Sequence, residues 1–65
     1  MVNNIGKNIV DLRKQKGISQ KEITKICNTS LTSVSHWENG IDVPDLDTLI
    51  LLADYFNITL DELIL

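Results

Sequence analysis

Residues 30–40 carry side chains whose types and spacing suit hydrogen bonding and apolar contact with DNA bases. The predicted helix in this stretch has a small, mostly polar, uncharged outward face formed by Leu31, Thr32, Ser35, His36 and Asn39. A merely solvated helix face usually carries Glu and Lys, whereas hydroxyls, a methyl-bearing Thr and a His suit the base edges of a major groove. The alternative is a capped helix whose outer face happens to be polar. This stretch taken alone leaves both interpretations open.

The same helix has a residue suited to each of its ends and one apolar face. The Ser30 hydroxyl can accept a hydrogen bond from a free N–H of the first turn, and Gly40 can adopt the left-handed conformation that ends a helix. Val34 and Trp37 are three residues apart and share the other face. We therefore expect Trp37 in the core rather than stacked on a base.

The single cysteine and the single histidine exclude several kinds of site. Cys27 has no partner for a disulfide within the chain, and Cys27 with His36 cannot fill a tetrahedral zinc site. No carboxylate pair, phosphate-binding loop or nucleophile–base spacing indicates an enzyme, so we expect neither a cofactor nor a metal. Cys27 is expected to be a small buried apolar residue, with redox sensing as the alternative.

The preceding element is predicted to meet this helix at a sharp turn. Ser19 and Glu22 form a capping-box pattern that opens a helix running to about Cys27. Residues 28–30 alone separate the two helices, and so short a turn forces a sharp angle between them. The sequence therefore predicts a helix-turn-helix unit at about 19–39.

Three more amphipathic segments complete the chain. The first, residues 4–16, has apolar residues at helical spacing. A segment at 46–56 follows the capping residue Asp45, and a last short helix opens at the capping box that begins with Thr59. The inner stripe of the 46–56 segment is predicted to comprise Leu46, Leu49, Leu52, Ala53 and Phe56. The sequence thus predicts a single all-α domain of five short helices over residues 1–65.

Charge is distributed unevenly along the chain. The formal net charge is −3, yet all six Lys and Arg residues lie within residues 1–25, which therefore carry about +4. Residues 26–65 contain no Lys or Arg and carry about −7. Such asymmetry can orient a protein toward a polyanion with its basic side, or it can be an ordinary solvated surface.

Length and hydropathy limit the class of protein. A 65-residue chain buries only roughly 60% of the surface that its unfolded form exposes, so it needs a dense apolar core or a partner subunit. No apolar run approaches the roughly 20 residues that span a bilayer. Residues 1–4 show no charged start followed by an apolar stretch, so nothing suggests secretion. A free thiol without a targeting signal fits the reducing cytoplasm, where we expect the protein to act.

Together these motifs resemble the Cro and phage-repressor helix-turn-helix family, also called the XRE family. The resemblance covers nearly the whole chain and is most specific at Gln20, at Trp37-Glu38-x-Gly40 and at Pro44. The other matching residues are Ile9, Leu12, Arg13, Gly17, Ile18, Ser19, Ile23, Ser30, Val34, Ser35, Leu46, Leu49, Ala53 and the run from Ile58 to Leu63. The resemblance implies a compact, lambda-repressor-like domain that binds double-stranded DNA, commonly as a homodimer on a two-fold operator.

The resemblance also implies roles for individual positions. The helix that follows Ser30 would be the recognition helix, docked in the major groove. Its base-contacting residues would be Leu31, Thr32, Ser35 and His36. Phosphate contacts would come from Gln20, Lys21, Ser30, Ser33 and Asn39. Arg13 and Glu38 match a pair that the family joins by a salt bridge between the first and third helices, and we predict that bridge here.

Two departures from the family pattern predict weak binding by a single copy. Where family members usually have Lys or Arg after the recognition helix, this chain has Asp42, Asp45 and Asp47. The recognition helix itself contains neither Lys nor Arg. A protein that binds fewer phosphates has a lower affinity and a weaker dependence on salt, so we expect binding to need a dimer.

The dimer surface is expected among apolar residues that lie off the core stripe. These residues are Ile50, Leu51, Tyr55, Ile64 and Leu65. The alternative is that some of them complete a small core.

The acidic second half of the chain supports a competing function. A protein-interaction module on the same fold would bind another protein and have little affinity for DNA. If substitution of Thr32 and His36 abolishes DNA binding, the regulator is favoured. If substitution leaves DNA binding unchanged, the interaction module is favoured.

Overall fold

The computed structural model describes residues 3–65 and contains five α-helices within them. The helices are α1 (Ile5–Lys16), α2 (Gln20–Cys27), α3 (Leu31–Glu38), α4 (Leu46–Phe56) and α5 (Leu60–Ile64). α1 packs against α3 and α5, α2 packs against α3 and α4, and α4 packs against α5. The helix boundaries agree closely with those expected from the capping and periodicity patterns, and the all-α prediction is confirmed.

Side-chain caps fix where four of the helices begin. In each case the oxygen of the capping residue accepts a hydrogen bond from the N–H three residues later; these residues are Ser19, Ser30, Asp45 and Thr59. The capping box at Thr59 is complete, because the Glu62 carboxylate also accepts from the Thr59 N–H at 2.9 Å. The box predicted at Ser19 is half formed: the Ser19 hydroxyl accepts from the Glu22 N–H, but no bond from the Ser19 N–H to the Glu22 carboxylate is found among residues 3–65.

The core lies where all five helices meet. Its nine buried residues are Ile5, Ile9, Ile23, Val34, Trp37, Leu49, Leu52, Ala53 and Leu63. Every helix contributes at least one of them, so detaching any helix from the core would expose apolar surface to water. The prediction that Trp37 is a core residue is confirmed.

Leu46 was predicted to lie on the buried face of α4, and this prediction is wrong. It is 61% exposed, although it begins the same helix as the buried Leu49. Leu46 shares its flank of α4 with Ile50, one turn later, which is also about half exposed. The spacing of apolar residues along α4 placed Leu46 on the inner face, but no element in the described part of the chain covers that side of the helix.

The residues expected at a dimer surface divide into two groups. Ile50, Leu51 and Leu65 are exposed, whereas Ile64 is partly buried against the core. Tyr55 is also partly buried, with its ring edge-on to the next residue, Phe56, and the Lys16 ammonium 4.4 Å from its centroid. Ile64 therefore fits the alternative, in which some of these residues complete the core.

Cys27 packs against the core while remaining partly accessible. Burial raises the pKa of its thiol above the ordinary value. Because the thiolate is the reactive form of cysteine, this environment suits an unreactive packing residue better than a redox sensor.

The start of α1 is joined to the end of the chain and lies close to α3. The Asn4 backbone N–H donates to the Ile64 carbonyl at 3.0 Å, and the Asn8 side-chain amide donates to the Leu63 carbonyl at 2.8 Å. Gly6 lies so close to the end of α3 that a Cβ atom there would overlap the Trp37 carbonyl oxygen. The absence of a side chain at Gly6 is therefore what lets α1 and α3 approach.

Replacing Thr59 with alanine is expected to lower the free energy of unfolding by about 1 kcal/mol, because it removes the acceptor for the Glu62 N–H. Urea denaturation would measure the loss. Thr59→Ser keeps the hydroxyl and is the matched control, expected to stay close to the parent. Equal losses for both variants would mean that the threonine methyl group, rather than the cap, stabilises α5.

None of the helices within residues 3–65 has the length and apolar character needed to cross a membrane.

Candidate nucleic-acid interface

The connection between α2 and α3 sets the angle at which α3 leaves the core. Asn28 ends α2 in the left-handed conformation, with φ 51° and ψ 54°. The Thr29 N–H bonds back to the Thr24 carbonyl at 3.0 Å, which closes the turn. Ser30 then begins α3 by accepting from the Ser33 N–H at 3.1 Å. Asparagine tolerates this backbone conformation better than most residues, so a short local signal positions the whole helix.

α3 is held by its apolar face and displays the opposite face. Val34 and Trp37 are buried in the core. Leu31 is 53% exposed, and Thr32 is also exposed. Since the buried residues fix the rotation of the helix about its own axis, the outward residues have a defined direction.

The four residues predicted to contact bases lie together at one open depression. This depression, of about 280 Å³, is lined by Gln20, Leu31, Thr32, Ser35 and His36. The surface therefore combines an aliphatic side chain, hydroxyl groups, an imidazole and an amide. These are groups that can contact thymine methyls and the hydrogen-bonding edges of bases.

The residues predicted to contact phosphate lie around this depression rather than in it, Gln20 excepted. Lys21 is exposed on the first turn of α2. At the start of α3 the Ser30 hydroxyl donates a hydrogen bond to the Ser33 hydroxyl at 3.1 Å. At its other end the Asn39 amide donates to the Ser35 hydroxyl at 3.3 Å. The predicted phosphate-binding residues thus occupy both ends of α3 and the start of α2.

A bidentate ion pair ties α3 to α1. Arg13 Nε lies 2.8 Å from Glu38 Oε2, and Arg13 Nη2 lies 3.1 Å from Glu38 Oε1. The Arg13 and Glu38 side chains are 17% and 6% exposed, so the pair is largely removed from water. Hydrogen bonding to Glu38 raises the pKa of Arg13, which keeps the guanidinium charged. Arg13 Nη1 also donates to the Ile18 carbonyl at 3.3 Å, just before α2.

The hydrogen bond from Gln20 to Glu38 was not predicted from the sequence. Gln20 Nε2 donates to Glu38 Oε1 at 2.8 Å, so the carboxylate accepts from both α1 and α2. Residues 20 and 38 belong to different helices and have no periodic relationship. No sequence pattern could have indicated this hydrogen bond.

The segment after α3 is negatively charged and structured by its own carboxylates. Asp42 accepts from the Val43 N–H at 2.9 Å. Asp45 caps α4, and hydrogen bonds from the Thr48 side chain and backbone N–H lower the pKa of its carboxyl. The Asp45 carboxyl therefore stays ionised at neutral pH, where it would repel a phosphate nearby.

The described residues, 3–65, contain no group of three or more His, Cys, Asp or Glu side chains that could hold a metal ion.

Comparison with known proteins agrees with the geometry. A sequence model of a family described as helix-turn-helix matches residues 9–63. The chain is 32% identical over 53 residues to the HTH-type transcriptional activator BcrR of Enterococcus faecalis, which covers 82% of this chain and 26% of BcrR. It is also 32% identical over 60 residues to the HTH-type transcriptional regulator ImmR of Bacillus subtilis, covering 92% of this chain and 47% of ImmR.

A third relative has a different kind of name. The chain is 32% identical over 60 residues to the antitoxin PezA of Streptococcus pneumoniae, which covers 92% of this chain and 38% of PezA. This chain therefore spans between about a quarter and a half of the length of these curated relatives.

Two solved structures share the architecture. A transcriptional regulator from Listeria innocua has a TM-score of 0.94 at 30% identity, covering 98% of this chain and 60% of the regulator. The P22 c2 repressor, solved in complex with a synthetic operator, has a TM-score of 0.83 at 27% identity, covering 91% of this chain and 89% of the repressor.

Proposed function

The chain belongs to the helix-turn-helix family, and from this membership we propose that it is a sequence-specific, double-stranded DNA-binding transcriptional regulator. The observation that carries the proposal is the single depression at which Leu31, Thr32, Ser35 and His36 meet. α3 is capped at its first turn and anchored by its buried face, so this surface has a defined orientation that suits entry into a major groove. The P22 c2 repressor, which shares the fold, was solved with its operator. The proposed role involves no catalysis, which agrees with the helix-turn-helix family and with BcrR and ImmR, whose names describe transcription regulators.

Phosphate contacts around the depression would fix the register of α3 on the duplex. We assign them to the N-terminus of α2 at Gln20, to the Lys21 ammonium, and to Ser30, Ser33 and Asn39. Such contacts position a protein without reading sequence. Residues 19–39 would thus form the DNA-binding unit of the single domain at 1–65.

The charge and the exposed apolar residues support the proposal of a homodimer on a palindromic operator. The acidic segment after α3 offers no cation to phosphate, so one copy has few charges with which to bind DNA. Ile50, Leu51 and Leu65 expose apolar surface and would join two copies, with the partly buried Tyr55 and Ile64 beside them. Joining two weak sites raises the affinity without a new base contact. The regulator would act as a repressor by occupying its operator.

The test is to measure affinity for random-sequence duplex DNA against salt and to select the bound sequences. A palindromic consensus, with affinity falling as salt rises, is the result expected of a dimeric operator-binding protein. A consensus without two-fold symmetry would count against the dimer alone. Absence of binding at low salt, with no enriched sequence, would contradict DNA binding altogether.

The second candidate function is that of a protein-interaction module on the same fold, with little affinity for DNA. It is favoured by the acidic segment after α3 and by the likeness to the antitoxin PezA. Purification of the chain with a bound protein, together with absent DNA binding, would support this alternative.

Replacing His36 with alanine is expected to weaken binding to the selected sequence by about 10- to 100-fold, as for removal of one base-reading side chain. Affinity for random duplex should stay within error of the parent, because the imidazole is not assigned to phosphate. Gln15→Ala, an exposed change on α1, is the control variant. Equal weakening on selected and random DNA would contradict a base-contacting role for His36.

A further inference from the structure

The amide of Gln20 has a fixed orientation before any ligand binds. Its Nε2 donates to Glu38 Oε1 at 2.8 Å, and the Glu38 carboxylate is nearly buried and held by Arg13. An ionised carboxylate can only accept hydrogen bonds, so the NH₂ group must face it and the carbonyl must point elsewhere. The ion pair between α1 and α3 therefore sets the direction of a side chain on α2.

The carbonyl oxygen of this amide is free to accept. No donor to Gln20 Oε1 is found among the hydrogen bonds of residues 3–65. No side-chain nitrogen or oxygen in that part of the chain is both buried and without a partner, so this oxygen reaches solvent. Gln20 lines the same depression as Leu31, Thr32, Ser35 and His36. An oriented, unpaired acceptor thus adjoins the proposed base-reading surface.

A carbonyl oxygen distinguishes between the groups that DNA offers. Phosphate oxygens are also acceptors and cannot bond to it. In the major groove the donors are the exocyclic amino groups of adenine and cytosine. We propose that Gln20 is a specificity-determining residue whose Oε1 accepts from the exocyclic amino group of an adenine or cytosine at the edge of each half-site. This assignment rests on the proposed DNA-binding function, and it makes Arg13 and Glu38 positioning residues for base selection.

The first test compares sequence selection by the parent, Gln20→Met and Lys21→Met. Gln20→Met keeps the length of the side chain and removes its polar atoms. It is expected to flatten the preference at one base pair of each half-site and to lower affinity for the selected operator about 10-fold relative to affinity for random DNA. Lys21→Met is the matched control on the same helical turn. It should weaken all sequences alike and make the salt dependence shallower by about 0.9 in log–log slope.

The second test uses the unaltered protein and changes the DNA. Each adenine or cytosine of the consensus is replaced in turn by its analogue lacking the exocyclic amino group. One replacement per half-site should weaken the parent about 10-fold and have no effect on Gln20→Met. This arm does not depend on the variant folding, because the position-specific loss is first measured with the parent.

The possible outcomes distinguish failure of the proposed DNA-binding function from failure of the base-contacting role of Gln20. A parent that selects no sequence overturns the proposed function and this assignment together. A parent with a consensus that Gln20→Met leaves unchanged overturns the assignment alone. Uniform weakening by Gln20→Met on selected and random DNA also overturns it, since that is the behaviour of a phosphate contact through the remaining N–H.

Discussion

Replacing Arg13 with alanine is expected to lower the free energy of unfolding by about 3 kcal/mol, because it strands the nearly buried Glu38 carboxylate. The value lies at the lower end for a broken buried pair, since the Gln20 amide still donates to Glu38 and Arg13 is itself partly accessible. A 65-residue domain has roughly 3–10 kcal/mol of stability in total. The variant should therefore lose between about a third and all of its stability, as urea denaturation would measure.

The matched control for Arg13 lies in the same helix. Lys7 and Asp11 form an ion pair at 3.0 Å, but their side chains are 74% and 49% exposed. Lys7→Ala should cost no more than about 0.5 kcal/mol, because water replaces the missing partner. Equal effects of Lys7→Ala and Arg13→Ala would mean that burial adds nothing to the Arg13–Glu38 pair.

A double variant separates the loss of the pair from the stranding of a charge. Arg13→Met with Glu38→Met replaces both charges by apolar side chains. It should be more stable than Arg13→Met alone, since no carboxylate is then left without its ion partner. A double variant less stable than Arg13→Met would contradict this explanation.

Replacing Gly6 with alanine is expected to lower the free energy of unfolding by about 3 kcal/mol, at the upper end for overpacking. Helix propensity by itself predicts the opposite, a gain of up to about 1 kcal/mol for alanine over glycine. The sign changes because the new Cβ would overlap the Trp37 carbonyl oxygen and lie 3.1 Å from that of Glu38. These are backbone atoms at the end of α3, so relief requires α1 and α3 to move apart. Thermal and urea denaturation would measure the loss.

Gly17→Ala provides the comparison for Gly6. Gly17 has φ +73° and nothing within 4 Å of an added Cβ, so only backbone strain opposes the change. A loss of about 1 kcal/mol is expected there. A stabilising Gly6→Ala would show that the two helices separate easily, and it would contradict a tight approach.

Local patterns predicted the elements of this fold because local interactions form them. Ser30, Asp45 and Thr59 cap helices through bonds to groups three residues away, so their spacing is visible in the sequence. Val34 and Trp37 share a face for the same reason. The prediction that Leu46 is buried was wrong because the spacing of apolar residues describes one helix alone. It does not say how wide a face of that helix its neighbours cover.

The amino-acid sequence was sufficient to predict the five helices, the apolar face of α3 and the set of polar residues opposite it. The ion pair between Arg13 and Glu38 was expected only through resemblance to a family, and its bidentate geometry came from the structure. Three features emerge only from the packing of the helices: Gln20 bonds to Glu38, Gly6 admits no side chain, and Leu46 is uncovered. Each of these depends on how separate helices pack against one another or leave a face uncovered, and such packing leaves no periodic signal in the chain.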